Sequence, residues 1–100
     1  MNKKTVMPVY VGEYLSDTGH MTAQGNGVYL LLLFHSWQRG GLPADLSECY
    51  QIIKAGTQEE REEVDAVVRE FFVEADGRFI CKRSYLAENR MKRRRKSSKV

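Results

Sequence analysis

The chain has 100 residues, the length of one small domain, with little room for a deep catalytic cleft. Its hydrophobic content of 42% is that of a globular protein, and no apolar run is long enough to span a bilayer. The net charge of +3 conceals a split: residues 1–89 carry nine Lys/Arg against all thirteen acids, net −4, and residues 90–100 carry seven Lys/Arg and no acid, net +7.

Residues 6–11 (Val6, Met7, Val9, Tyr10, Val11) are β-leaning and predict a short edge strand, because Pro8 excludes a central one. A helical turn is expected around Glu13 to Ser16, then a turn at Asp17-Thr18-Gly19-His20. Thr22 is positioned to cap a helix from about Ala23 to Gln38. From Val28 to Phe34 and again at Trp37 this helix is apolar around nearly its whole circumference, which predicts a central, fully buried helix with Trp37 packed against the two that follow. Gly40-Gly41 ends it, and Leu42-Pro43 leaves extended.

Asp45 and Glu48 have capping-box spacing, and Leu46, Cys49, Tyr50 and Ile53 form a helical stripe that Gly56 should end. Thr57 and Glu60 open a second box, followed by the stripe Val64, Val67, Val68 and Phe71. Two short helices joined by a brief Gly-containing turn have helix-turn-helix spacing. Phe72–Ala75 and Arg78–Lys82 flank Asp76-Gly77, the strongest short signal for a hairpin. A last helix should lay Tyr85 and Leu86 on the body, and the apolar stripe vanishes beyond Met91. The expected fold is mostly α with a small β-hairpin, a winged helix-turn-helix, in a domain of residues 1–89 with a basic, flexible tail at 90–100.

Catalytic chemistry is not expected. His20 and His35 are the sole histidines, there is no phosphate-cradling loop, and the carboxylates between Glu59 and Asp65 lie on an open helix face. Cys49 and Cys81 read as small buried residues; with His20 and His35 they lack the spacing of a zinc site, so neither metal nor cofactor is expected. No apolar signal region follows the N-terminus, which reads as cytoplasmic.

The candidate nucleic-acid contacts are Arg78, Lys82 and Arg83 at the wing, with Arg90, Lys92, Arg93, Arg94, Arg95 and Lys96 in the tail. The exposed face of helix 58–71 is expected to carry Glu59, Glu62, Ala66, Arg69 and Glu70, with Asp65 at its border. Such a face repels phosphate and argues against DNA reading by this helix. The alternative is a protein-interaction adaptor or inhibitor, in which Glu59, Glu62, Asp65, Arg69 and Glu70 dock on a basic partner.

The segments "YVGEYLSDTGHMT", "GVYLLLLFHSWQRGGLP" and "FFVEADGRFICKR" resemble the YdaU-like domain of unknown function found in phages and prophages. The resemblance rests on Tyr10, Val11, Gly12, Tyr14, Leu15, Thr18, His20 and Gly27, on Tyr29, the leucine run, Trp37, Gly40, Gly41, Leu42 and Pro43, and on Phe71, Phe72, Asp76, Gly77, Lys82 and Arg83. It covers roughly residues 7–90 and is also similar to the N-terminal domain of phage replisome organisers. The resemblance implies a winged-helix module used in or near phage DNA replication, and the expected role is DNA association in phage replication or regulation.

Overall fold

The computed structural model describes residues 6–82. The expected last helix and the 90–100 tail lie outside the described residues, as do Arg83, Arg90, Lys92, Arg93, Arg94, Arg95 and Lys96.

Among the described residues the chain forms four helices and a small antiparallel sheet. They are α1 (Val11–Asp17), α2 (Ala23–Arg39), β1 (Leu42–Pro43), α3 (Leu46–Ile52), α4 (Gln58–Phe71), β2 (Phe72–Ala75) and β3 (Arg78–Cys81). The sheet order is β1-β3-β2, with Leu42 opposite Phe79 and Phe72 opposite Cys81. No helix among the described residues is long and apolar enough to cross a membrane.

The N-terminal segment departs from expectation. Val11 begins a helix, and of residues 6–11 only Val9 makes an isolated bridge. Tertiary contact overrides β propensity here. Tyr14 is the buried residue of α1; its ring stacks on Tyr29 at 5.8 Å and its hydroxyl donates to Asn26 at 2.8 Å. Thr18, also buried, donates to the Tyr14 carbonyl at 2.9 Å and closes the helix.

α2 starts and stops where the sequence places it. The Thr22 hydroxyl accepts from Gly25 N–H, and Gly40 takes the left-handed conformation at φ 73°. Gly41, at φ 129°, has no room for a side chain: a Cβ there would lie 2.8 Å from Ile80 Cδ1 and 3.2 Å from Arg78 Cβ. The helix is not buried all round. Gly25, Val28, Tyr29, Leu32 and Leu33 face the core, whereas Leu31 and Phe34 are 44% and 47% exposed. Trp37 is half-buried and outside the core cluster, contrary to expectation. The core stripe of α2 continues from Tyr29 to position 36, two turns on, which leaves Trp37 at its edge.

α3 begins under Asp45, whose carboxylate accepts from Ser47 N–H at 2.9 Å, one position short of the Glu48 bond of a capping box. It ends before Gly56. Lys54 takes the left-handed turn at φ 59°, with Ala55 N–H on Tyr50 O at 2.8 Å and Lys54 N–H on Gln51 O at 3.2 Å. This paired pattern is a Schellman motif with lysine where glycine is usual. α4 opens with the full Thr57–Glu60 box, whose bonds from Thr57 and Gly56 hold Glu60 below the ordinary carboxylate range. Val64, Val67, Val68 and Phe71 are buried as the stripe requires.

The hairpin follows directly. Asp76 and Gly77 have φ 53° and 73°, the two left-handed positions of a type I′ turn. Gly77→Val is expected to cost roughly 1–3 kcal/mol, since a β-branched residue is strained there. A denaturation midpoint equal to wild type would remove this assignment.

Candidate nucleic-acid interface

β2 and β3 give the sheet two unlike sides. Successive side chains of a strand alternate. Phe72 and Cys81 are buried and Phe79 packs against the core, so Val73, Ala75, Arg78, Ile80 and Lys82 share the outer side. Val73 is 50% exposed, and Ala75, Arg78 and Lys82 are exposed. The outer side carries two cations and no acid of its own.

Arg39 joins these cations through a contact that no local pattern signals. Arg78 Nη1 donates to the Arg39 carbonyl at 2.8 Å across the end of α2. The bond fixes the Arg78 guanidinium and brings Arg39 to the same corner. A shallow cleft opens there, lined by both arginines with Gly41, Pro43, Glu48 and Gly77. Glu48 borders the cleft and reduces its positive charge. The bare Gly41 backbone lets β3 and the α2 terminus approach closely enough for the Arg78–Arg39 bond. Lys82 lies at the other end of β3, where its N–H bonds the Phe71 carbonyl at 3.0 Å. Lys82 follows the strand four residues after Arg78, about 13 Å away at the rise of an extended chain. The other cations named for this role, Arg83 and the tail residues, lie outside the described residues.

α4 presents the opposite sign. Glu59, Glu62, Ala66, Arg69 and Glu70 are all exposed, as the helical projection requires. Three acids there face a single arginine. Asp65 is half-buried and accepts a 2.5 Å bond from Tyr50, which raises the Tyr50 phenol above its ordinary value. Glu70 is engaged by His20 Nε2 at 2.9 Å, a tie between the α1–α2 loop and the end of α4 that helical spacing could not reveal. Across residues 6–82, twelve acids face six Lys/Arg, a net charge of −6.

Both cysteines are buried free thiols. Cys81 Sγ sits 3.7 Å from the Tyr29 hydroxyl, and Cys49 Sγ donates to Pro43 O at 3.5 Å. Burial, reinforced by Asp45 and Glu48, pushes the Cys49 thiol up to about 11. The folded state thus favours the neutral thiol. Its contribution is complete below the ordinary value of 9.0 and is lost as pH rises toward 11. Native protein at pH 8 is therefore expected to resist iodoacetamide at Cys49, and the urea midpoint should fall between pH 9 and 11. Rapid native alkylation at pH 8, read by mass spectrometry, would contradict the burial. Among the described residues, no group of three His, Cys, Asp or Glu side chains is placed to hold a metal ion.

A family model described as "Protein of unknown function (DUF1376)" matches residues 6–88. The chain is 38% identical over 66 residues to the uncharacterized protein YdaU of Escherichia coli (strain K12), which is 66% of this chain and 22% of that protein. The chain thus spans well under two thirds of that relative's length. No solved structure matches it.

Proposed function

The chain belongs to the DUF1376 family of proteins of unknown function, and we propose that its domain is a winged helix that contacts nucleic-acid backbone, without catalysis, through the wing and the basic segment beyond it. The order α2, β1, α3, α4, β2, β3 with sheet order β1-β3-β2 supports the winged-helix reading, α3 and α4 forming the helix-turn-helix and β2–β3 the wing. The carrying observation is the outer side of the sheet. Arg78 and Lys82 lie on it, Arg39 stands at its corner, and the chain continues from Lys82 into Arg83 and the cations of residues 90–99. These groups contact phosphates irrespective of base sequence. Base reading by α4 is disfavoured, since Glu59, Glu62 and Glu70 would meet phosphate in the groove. The resemblance to phage replisome-organiser domains directs the role to phage or prophage DNA replication or regulation.

The test is a gel-shift titration of the full chain, the Arg39→Ala/Arg78→Ala variant and a chain lacking residues 91–100 against two unrelated duplexes. Full-chain binding should be nearly independent of sequence, weaker in the double variant and lost on deletion. No binding at low salt would reject the reading.

A second reading has its own observation, the net charge of −6 over residues 6–82 and the acidic exposed face of α4. In that case Glu59, Glu62, Asp65, Arg69 and Glu70 dock a basic protein partner. Deleting residues 91–100 would then leave partner capture intact, and Glu59→Gln/Glu62→Gln would abolish it.

A further inference from the structure

We propose that the cleft between α3 and the start of α4 is a phosphate-binding site, in which Lys54 and Arg61 hold a backbone phosphate of nucleic acid. The cleft has a volume of about 440 Å³, and Ser47, Tyr50, Gln51, Lys54 and Arg61 line it. Among the described residues two cations and no carboxylate line it, in a stretch where twelve acids face six Lys/Arg. It lies apart from the wing. Ser47 lines this cleft and its neighbour Glu48 lines the Arg39–Arg78 cleft, so α3 runs between the two.

Both cations are held for a ligand. Arg61 Nε donates to the Ala55 carbonyl at 3.1 Å, and the guanidinium lies over the Tyr50 ring at 5.6 Å. That fixes the group through one donor and leaves the fork of its terminal nitrogens for an oxyanion, which guanidinium binds through paired bonds. Lys54 occupies the left-handed turn at φ 59°, where lysine is strained and glycine is not. Strain of this kind is retained where the side chain serves a site, and this one lines the same cleft as Arg61. Ser47 and Gln51, one turn apart on α3, add a hydroxyl and an amide. The N–H groups of Gly56 and Thr57 both go to the Glu60 carboxylate, so side chains alone make the site. Two cations with neutral donors beside them match the charge and the several acceptor oxygens of a phosphate group. That the phosphate belongs to nucleic acid rests on the reading above; that the cleft takes phosphate does not.

The full chain is titrated with inorganic phosphate at constant ionic strength, set by sodium chloride, and followed by two-dimensional nitrogen–proton NMR. The Arg61 Nε–H signal and the amides of residues 51–56 should shift and saturate. Lys54→Gly should remove that saturation with Tm unchanged or raised, since glycine relieves the left-handed turn. A lowered Tm would make Lys54 a structural residue and overturn its part. In gel shifts Lys54→Gly should bind duplex several-fold more weakly, with a salt slope smaller by about one. Phosphate saturation without that loss would assign the cleft to a free phosphate group in place of the backbone. No duplex binding by the full chain would reject the nucleic-acid reading, and the phosphate titration would then decide the cleft by itself. No saturable shift at Arg61, or one that Lys54→Gly leaves intact, would overturn the site.

Discussion

Phe71→Ala is expected to cost about 3–5 kcal/mol, a large share of the stability of a domain this size. Phe71 is fully buried at the end of α4, its ring stacked on Tyr29 at 4.1 Å and 17°. Tyr29 in turn stacks on Tyr14 of α1 and meets Phe72 edge-on at 6.2 Å. His20 covers the Phe71 ring from the α1–α2 loop at 6.4 Å. Phe71 thus ties α4 to α2 and to the α1–α2 loop, and through Tyr29 to Tyr14 and Phe72. Its removal leaves a cavity beside Tyr29, and stacked rings cannot collapse into it without losing their own geometry. Trp37→Ala should cost less, because Trp37 is half-buried at the edge of the core. Urea unfolding of both variants checks the order. A Phe71→Ala loss below about 1 kcal/mol, or a larger loss at Trp37, would show the centre of the core to lie elsewhere.

Nucleic-acid affinity is expected to fall about 10³-fold between 50 and 200 mM salt if six or more of the cations at 90–99 meet phosphates. That segment holds Arg90, Lys92, Arg93, Arg94, Arg95, Lys96 and Lys99 with no acid. Counterion release makes log K fall by about 0.9 per neutralised phosphate for each tenfold rise in salt, so the slope counts the contacts. Arg39→Ala/Arg78→Ala should reduce the slope by about one to two. Glu59→Gln/Glu62→Gln should leave affinity unchanged or raise it, since both acids are exposed on the face that would repel phosphate. These two are better probes than Glu70, whose carboxylate holds His20. A flat salt dependence, or binding lost in the Gln variant, would remove the backbone-contact reading.

The sequence by itself determined the elements whose signals are local. Thr22, Thr57 with Glu60, and Gly40 mark helix ends through bonds and backbone conformations set within a few residues. Asp76-Gly77 fixed the hairpin for the same reason. The inward stripe and acidic outward face of α4 followed from helical periodicity alone. Tertiary structure decided the rest. Val11 could extend a strand or begin a helix, and the packing of Tyr14 on Tyr29 selected the helix. Seven successive apolar residues from Val28 to Phe34 hid which side of α2 is buried, because a uniform run carries no phase. The left-handed turn fell on Lys54 rather than Gly56, since the end of α3 is set by how that helix packs on α4. Arg39 joined the candidate interface through a bond spanning 39 residues, and His20 reached Glu70 across 50. Contacts of that range depend on how the elements are folded together, and no local pattern in the chain encodes them.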